Sequence, residues 1–391
     1  MAILNRIAFD LFSLKNKIMQ TAFVNASIYT GQEKITGKAL LIENDRIKEI
    51  IKEELIPESV IKIDCENGLI APGLIDLQIY GAGGFLFSDD PSVIALEAMA
   101  DSLLKTGTTG FYITLATNSM EIFHKAIKVV KENPHPAVMG LHLEGPYINP
   151  IKRGAHLIQY IRRPERKEVE ELLKEADGVI KMMTLAPEMC DPEIIKLLKD
   201  HGVVVSAGHS NATFDEAVLG FKNGITTATH LFNAMSPLHH RDTGLPGATY
   251  LTENIFASII ADGIHVDYNA LSISKKIMKE RLFLITDAVE ESKDGAYVHV
   301  KQKDRFTLPD GTLSGSRLTL LQAVKNCAER VGIPLDEALR MASAYPAQLI
   351  NATDIGRIEE GYKANLVVFS KDFKIKHSVL EGKIFNGHNR A

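Results

Sequence analysis

Apolar runs and helix-like stretches alternate through the middle of the chain. Most of the apolar runs are followed by a stretch in which apolar residues recur with helical spacing, as in PSVIALEAMADSLLKTG. The eight runs are LIDLQIY, GFYIT, AVMGLHLE, IKMMTLAP, VVVSAGH, ITTATHLF, FASIIADG and LFLITDA. Strands that alternate with helices form parallel sheets, so eight such runs predict an α/β fold with a (β/α)8 TIM-like barrel over residues 73–349.

The two ends of the chain have a different, β-like pattern. AFVNASIYTG and KALLIENDRIKEI near the N-terminus, and ANLVVFS and HSVLEGKIFNG near the C-terminus, are short apolar stretches bounded by turn residues. We expect residues 21–72 and 350–391 to form one small β-sandwich-like domain from both chain ends. Residues 1–20 are expected to be an N-terminal extension, and because charged residues interrupt its apolar stretch we expect no membrane anchor.

Composition and charge narrow the class of function. With 391 residues and 45% hydrophobic content, the chain can form a barrel of about 250 residues and a small second domain. The formal net charge of -5 and the lack of a Lys/Arg block give no surface for nucleic acid. Three widely spaced cysteines argue against a disulfide framework, which predicts a reducing, cytoplasmic setting.

Polar residues close several of the predicted barrel strands, where active sites of such barrels lie. They are Glu144, His209, His230, Asp262 and Asp287. Each alone could be a helix cap or a hydrogen-bonded structural residue. Glu144, His209 and His230 would converge on one axis from three strands, however, and one carboxylate with two imidazoles is a typical ligand set of catalytic Zn²⁺ that also suits Fe²⁺.

Hydrolysis at such an ion also needs a group that moves protons. Asp287, which closes the eighth run, is the candidate both for the base that takes a proton from water and for the acid that protonates the leaving group. Its alternative role is a helix cap or a partner in a buried salt bridge.

Eight motifs, in order and with compatible spacing, resemble the N-acetylglucosamine-6-phosphate deacetylase family of the amidohydrolase superfamily. They are PGLIDLQIYGAGG, GLHLEGPYIN, RGAH, SAGHSNATFDEA, THLFNAM, ADGIH, LITDA and LSGSRLTL, and the resemblance runs from about residue 21 to the C-terminus. It implies a metal-bearing barrel with a small β domain, and metal-dependent deacetylation of N-acetyl-D-glucosamine 6-phosphate to D-glucosamine 6-phosphate and acetate in amino-sugar catabolism.

The first barrel strand departs from the wider superfamily. Gln78 and Tyr80 stand where a His-x-His pair usually helps to hold a metal. The resemblance therefore implies a single divalent metal per subunit, Zn²⁺ in the first place and Fe²⁺ as the second choice, with Glu144, His209 and His230 as its ligands. Two roles stay open for Tyr80, which either fills the vacated metal position or shapes the pocket.

The resemblance also implies the residues that bind substrate. His156 in RGAH would polarise the acetyl carbonyl, and Arg241 would bind the phosphate from the neighbouring subunit of a homodimer. The remaining implied contacts to the phosphorylated N-acetyl amino sugar are Ala155, Asn233, Ala234, Asp262, His265, Leu313, Ser314 and Gly315.

Two other functions are compatible with parts of this pattern. An N-acetylgalactosamine-6-phosphate deacetylase would have much the same motifs, because the two sugars differ in the orientation of one hydroxyl. A non-catalytic amidohydrolase-like scaffold would have lost its ligands, whereas Glu144, His209, His230 and Asp287 are all present.

Overall fold

The structure is a computed structural model that describes residues 20–293 and 295–387. The extension predicted for residues 1–20 therefore lies outside the described residues, apart from Gln20, which begins the first strand. Among the described residues, no helix is both long enough and apolar enough to cross a membrane.

Eight parallel strands, paired in chain order, form the predicted barrel. Each lies within one of the eight apolar runs or overlaps it, so the predicted fold class is confirmed. Barrel strands one to eight are Leu74–Ile79, Thr108–Ala116, Val138–Glu144, Ile180–Leu185, Val204–Ala207, Thr227–Ala228, Phe256–Ile260 and Leu282–Ile285.

The barrel closes where strand eight meets strand one. Ile79 and Ala288 form a parallel bridge, and the backbone N–H of Asp287 donates to the carbonyl of Gln78 at 3.0 Å. The side chain of Asp76, inside the barrel, accepts from the hydroxyl of Thr286 at 2.5 Å. This seam joins residues 76–80 to residues 286–288, so it also fixes the relative positions of the side chains in these two segments.

Helices surround the barrel because each has an apolar stripe that packs on the strands. Helix Met120–Glu132, for example, buries Phe123, Ala126, Ile127 and Val130, with the spacing of one helical face, and Ser119 caps its first turn. The α-helices are Val93–Leu104, Met120–Glu132, Arg166–Ala176, Pro192–Asp200, Phe214–Asn223, Gly244–Leu251, Tyr268–Met278, Leu320–Asn326, Leu335–Met341 and Ala344–Leu349. Shorter turns are the 3-10 helices Glu53–Leu55, Pro150–Lys152, Ile158–Tyr160, Pro187–Met189 and Lys279–Arg281, and the π-helix Cys327–Val331.

Strands from both chain ends form a second, mixed sheet. They are Gln20–Tyr29, Lys34–Ile35, Ala39–Glu43, Arg46–Ile51, Ile61–Pro72, Leu366–Phe369, Ile375–Leu380 and Lys383–Asn386. Phe23 and Leu40 belong to one apolar cluster and their neighbours Ala22 and Leu41 to another, because successive side chains point to opposite faces of a sheet. The domain bounds 21–72 with 350–391 and 73–349 stay a prediction, and residues 388–391 lie outside the described part.

Two small antiparallel sheets lie near the carboxyl ends of the barrel strands. One is the hairpin of Gly81–Ala82 and Phe85–Leu86, directly after strand one. The other, after strand eight, contains Val300–Lys301, Arg305–Thr307 and Leu313–Ser316. A bridge between Ala288 and Ser316 fixes the second sheet to the end of strand eight.

Candidate active site

A cavity of about 170 Å³ lies at the carboxyl ends of the barrel strands. It receives side chains from the strand ends and from the sheet that follows strand eight. Its lining residues are Tyr80, Ala116, Glu144, Gly154, Ala155, His156, His209, His230, Asn233, Ala234, His265, Asp287, Val289, Tyr297, His299, Leu313, Ser314 and Gly315.

Most of the residues predicted from the sequence meet in this cavity. The residues brought together are Glu144, Ala155, His156, His209, His230, Asn233, Ala234, His265, Asp287, Leu313, Ser314 and Gly315. Asp262 and Arg241 do not line it: Asp262 pairs with His265 and lines a larger, neighbouring groove, and Arg241 is exposed on the loop that follows strand six.

A larger groove of about 1200 Å³ lies elsewhere, along strands one and eight and next to residues 373–375 of the second sheet. Its charged lining is mixed, with the bases Lys301, Lys303, Arg317 and Lys374 and the acids Asp262, Glu290 and Asp304. Among the described residues, one group of side chains lies close enough together to hold a metal ion. It consists of Glu144, His156 and His209 and lies in the smaller cavity. We therefore place the candidate active site in the smaller cavity.

The backbone turns sharply where the strands end in the cavity. His209, His230 and Asp287 have φ angles of +47°, +34° and +54°, in a region that non-glycine residues rarely adopt. Backbone hydrogen bonds hold these turns, including one from His230 N–H to Ser258 Oγ at 2.7 Å and one from Ser316 N–H to Asp287 O at 3.0 Å. Unusual backbone conformations of this kind cluster at functional sites.

The carboxylate of Glu144 is the centre of the site. Its Oε1 lies 3.0 Å from His230 Nε2 and 3.4 Å from His209 Nε2, and its Oε2 lies 3.1 Å from His156 Nε2. Burial alone would raise the pKa of Glu144, but the charge of His209 and the hydrogen bonds from the imidazoles hold that pKa well below its usual value. The glutamate is therefore ionised and available as a ligand.

One divalent ion fits between Glu144 Oε1 and the two imidazoles. His209 Nε2 and His230 Nε2 are 3.2 Å apart, so the three atoms form a triangle with edges of 3.0, 3.2 and 3.4 Å. Donor atoms around a tetrahedral zinc, at roughly 2.0–2.1 Å from the metal, lie about 3.3 Å from one another. The triangle leaves a fourth position open, as in catalytic sites.

Hydrogen bonds on the far ring nitrogens support different roles for the histidines. His209 Nδ1 lies 2.9 Å from the carbonyl oxygen of Lys152, so the neutral ring would have its hydrogen on Nδ1 and offer the lone pair of Nε2 to a metal. His156 Nδ1 instead faces the backbone N–H of Thr117 at 3.3 Å and the Thr117 hydroxyl at 2.8 Å, two groups that can both donate to it, and this assigns the ring hydrogen to Nε2. Burial and the charge of His209 lower the pKa of His156 to about 4, which makes it a neutral donor.

Gln78 and Tyr80 connect the two carboxylates of the site. Gln78 Nε2 lies 2.8 Å from Asp287 Oδ1, 3.0 Å from Glu144 Oε1 and 2.9 Å from the hydroxyl of Tyr80. The Tyr80 hydroxyl donates a short hydrogen bond to Glu144 Oε2. The first strand therefore brings hydrogen-bond donors to the place between Glu144 and Asp287.

Asp287 is held at the seam of the barrel. Gln78 binds its Oδ1, whereas its Oδ2 lies 4.0 Å from His265 Nε2 and 13% of its side chain is exposed. Burial and the nearby charges of Glu144, Asp262 and Asp76 raise the pKa of Asp287 well above its usual value in the protein without an ion. The carboxyl group is therefore suited to hold a proton as well as to release it.

Asp262 orients His265 and does not reach the cavity. Its Oδ2 lies 2.6 Å from His265 Nδ1, and its Oδ1 accepts the backbone N–H groups of Ile264 and His265 at 2.8 Å each. This bonding directs His265 Nε2 into the cavity. Asp262 therefore positions His265, and the direct contact of Asp262 with substrate stays a prediction.

Two polar lining residues on the segment after strand eight were not predicted. Tyr297 packs edge-on against His156, and its hydroxyl donates to the carbonyl of Thr117 at 2.5 Å. His299 lies parallel to Tyr297 and bonds to Ser314 through Nδ1 at 2.9 Å. The alternation in YVHV, which puts Tyr297 and His299 on the same face of an extended segment, is the signal that could have identified them.

Comparison with known families identifies the barrel. The model of the amidohydrolase family matches residues 69–385. The chain belongs to the amidohydrolase family. A second model, the NagA composite domain, matches residues 21–68 of this amidohydrolase.

Named relatives place the chain with the N-acetylglucosamine-6-phosphate deacetylases within that family, which confirms the resemblance. A protein of that name from Haemophilus influenzae is 36% identical over 384 residues, 93% of this chain and 99% of the relative. The crystal structure of the Pasteurella multocida deacetylase of the same name is 38% identical and has a TM-score of 0.91, over 94% of this chain and 100% of that one. An N-acetylgalactosamine-6-phosphate deacetylase from Shewanella is 33% identical over 333 residues, 81% of this chain and 83% of the relative.

Proposed function

We propose that this amidohydrolase hydrolyses the acetamide of N-acetyl-D-glucosamine 6-phosphate to D-glucosamine 6-phosphate and acetate. The observation that carries the proposal is the convergence of Glu144, His209, His230 and Asp287 on one cavity beside the neutral His156. This set contains a place for one divalent ion, a donor for a carbonyl oxygen and a carboxyl group that can move a proton. The names of the two deacetylases from Haemophilus and Pasteurella support the choice of sugar.

Glu144, His209 and His230 would hold the ion, and Zn²⁺ and Fe²⁺ both suit one carboxylate with two imidazoles. When bound, the ion would polarise the amide carbonyl and lower the pKa of a water molecule. His156 Nε2 faces Glu144 Oε2 at 3.1 Å when no substrate is bound, and it would turn its hydrogen to the same carbonyl oxygen as negative charge develops there. Its neutral state suits this role because the ring has a hydrogen to donate and no charge to desolvate.

Asp287 would carry the proton from water to the leaving nitrogen. Its Oδ1 is held by Gln78, which leaves Oδ2 as the oxygen that takes the proton. As the new carbon–oxygen bond forms, one proton of the water goes to Oδ2, and the carbon–nitrogen bond then breaks as that proton moves to the nitrogen. The products are acetate and the free amine, so one carboxyl group serves both as base and as acid.

The sugar would be held by residues around the rim of the cavity. Ala155, Asn233, Ala234, His265, Leu313, Ser314 and Gly315 all line it. Arg241 would bind the phosphate of the substrate in the partner subunit of a homodimer. Its exposure outside the cavity of its own chain, three residues after the exposed Leu238, supports this arrangement. The three cysteines are buried and unpaired, which supports a cytoplasmic location.

A second candidate substrate is N-acetyl-D-galactosamine 6-phosphate, since the Shewanella relative is nearly as similar as the Haemophilus one. The two substrates can be compared directly by measuring acetate release from each, with and without a chelator. We expect chelator-sensitive release with a higher kcat/KM for the glucosamine derivative. A preference for the galactosamine derivative would replace the proposed substrate, and release that a chelator leaves unchanged would contradict metal dependence.

A further inference from the structure

The hydrogen-bonding capacity of Glu144 limits how it can bind an ion. An ionised carboxylate has about four lone-pair positions, two on each oxygen. Tyr80, Gln78 and three imidazoles surround the two oxygens, and the Glu144 side chain is almost fully buried. A lone pair that a protein donor already uses is therefore closed to an ion.

Both lone pairs of Oε2 are used by the protein. The hydroxyl of Tyr80 donates to one, and His156 Nε2–H donates to the other at 3.1 Å. The backbone N–H of Thr117 supports this direction for His156, because it donates to Nδ1 and leaves the ring hydrogen on Nε2. Oε2 therefore has no lone pair left for a metal.

Oε1 has one lone pair left. The amide nitrogen of Gln78 has two hydrogens, and the two charged acceptors within reach are Glu144 Oε1 at 3.0 Å and Asp287 Oδ1 at 2.8 Å. The other lone pair of Oε1 faces His209 and His230. One monodentate ligand position, directed at the two imidazoles, is what the protein leaves open.

Packing fixes the hydroxyl of Tyr80 where it is. The ring lies in a small apolar cluster with Leu86, Val289, Tyr297 and Phe306, and only 8% of the residue is exposed. Gln78 Nε2 lies 2.9 Å from the same hydroxyl, so its hydrogen points away from Gln78 and toward Glu144 Oε2. Packing thus fixes the phenol oxygen, and Glu144 Oε2 is the acceptor to which its hydrogen bond is directed.

We propose that Tyr80 is a positioning residue that restricts Glu144 to a single-oxygen ligand for a single ion. It holds Oε2 with its hydroxyl and leaves Oε1 for the ion between His209 and His230. The inference rests on the proposed metal site but not on the identity of the sugar. The alternative is that Tyr80 only shapes the cavity that it lines.

Tyr80→Phe and Tyr297→Phe form a matched pair that separates these two roles. Both residues are buried tyrosines of the same cluster, and each donates one short hydrogen bond, Tyr80 to Glu144 and Tyr297 to the backbone carbonyl of Thr117. Zn²⁺ affinity of each full-length variant would be measured by competition with a chromophoric chelator. Loss of a partner that orients a metal ligand weakens metal binding by about 10–100-fold, which we expect for Tyr80→Phe, whereas Tyr297→Phe should stay within about threefold of the unmodified protein.

Unchanged Zn²⁺ affinity in Tyr80→Phe, or an equal loss in both variants, would overturn the proposal. If Tyr80→Phe does not fold, as judged by thermal unfolding without metal, Tyr80→Met removes the same hydroxyl and can fill the cluster with a flexible apolar chain. Activity of Tyr80→Phe should recover in part with excess Zn²⁺, which a change of cavity shape would not produce. Because the measured quantity is metal affinity, the test of Tyr80 remains valid even if the unmodified protein prefers another sugar.

Discussion

The two oxygens of Glu144 face two different environments. Oε1 faces His209 and His230, which come from strands five and six, and His209 offers a lone pair. Oε2 faces Tyr80 and His156, which offer hydrogens. A cation can bind only where acceptors meet, so the distribution of hydrogens, more than the number of histidines nearby, determines where the ion can lie.

The imidazoles of His209 and His230 and the Gln78–Asp287 pair also differ in how the fold supports them. The imidazoles follow strands that lie within the continuous part of the sheet, whereas Gln78 and Asp287 lie on opposite sides of the seam between strands one and eight. Gln78 bonds to Asp287 through its side chain and through its backbone carbonyl. Proton transfer by Asp287 is therefore expected to depend on how well the barrel closes at this seam.

The largest expected effect separates proton transfer from metal binding. Asp287→Asn keeps the shape of the side chain but removes the base, so we expect kcat to fall by about 10²–10⁴-fold with one ion still bound. His209→Asn should also abolish turnover, but through loss of the ion. Kinetics and elemental analysis of both variants check this contrast. Turnover of Asp287→Asn within about tenfold of the unmodified protein, a loss of only about 1.4 kcal/mol, would mean that another group is the base.

A smaller effect is expected at Arg241, which belongs to neither environment of Glu144. A hydrogen bond to a charged group contributes about 1.5–3 kcal/mol, so Arg241→Ala should raise KM for the phosphorylated sugar by about 10–150-fold. An unphosphorylated N-acetyl sugar, as the control substrate, should be affected little. An unchanged KM for the phosphorylated sugar would remove Arg241 from the phosphate site.

Mixed dimers test whether Arg241 acts across subunits. Arg241→Ala and Asp287→Asn subunits, with different tags to confirm exchange, should together recover activity, because a hybrid has one site with an intact base and an intact arginine. Confirmed hybrids no more active than the parent variants would exclude the cross-subunit arrangement.

The last expected effect concerns the seam itself and changes stability instead of turnover. Burial raises the pKa of Asp76 to about 7, although hydrogen bonds from Thr286 and Gln78 oppose the shift. An unfolded aspartate titrates near 3.9, so between about pH 4 and 7 the folded chain binds a proton that the unfolded chain does not, and this stabilisation is lost as the pH rises to 7. Asp76→Asn has no such proton. As the pH rises, its free energy of unfolding should therefore increase relative to that of the unmodified protein, by at most about 1.4 kcal/mol per pH unit.

Denaturant unfolding at several pH values checks the prediction for Asp76. The difference in the free energy of unfolding between Asp76→Asn and the unmodified protein should change between pH 5 and 7 and level off above pH 7. A difference that is constant over this range would show that Asp76 is already ionised in the folded protein.

Much of the architecture follows from local pattern. The barrel strands are long apolar runs separated by helical stretches, and parallel strands place their carboxyl ends at one edge, so the meeting of Glu144, His209 and His230 can be expected from the sequence. The orientation of the side chains cannot be predicted from the sequence in this way. Whether Tyr80 fills the vacated metal position or shapes the pocket depends on its packing with Leu86 and Val289. The sequence pattern does not show that these residues are in contact.

Other parts of the site depend on contacts between distant segments. Tyr297 and His299 enter the cavity because the sheet after strand eight folds back over it, and that segment has no strand-end signal. Asp262 orients His265 because the two are three residues apart in a tight turn, so the residue that closes the strand is not the one that reaches the cavity. Arg241 is exposed, and the sequence of one chain cannot determine what it contacts in an assembly.

The number of ions bound per chain most directly tests the claim that one oxygen of Glu144 is held by protein donors and the other is left for an ion. The protein would be purified without added metal, saturated with Zn²⁺, freed of loosely bound ions on a desalting column and analysed for metal and protein together. Because only one lone pair of Glu144 remains for a metal, the account predicts about one ion per chain. Two tightly held ions per chain would contradict it, since a second ion would have to displace Tyr80 or Gln78 from the carboxylate.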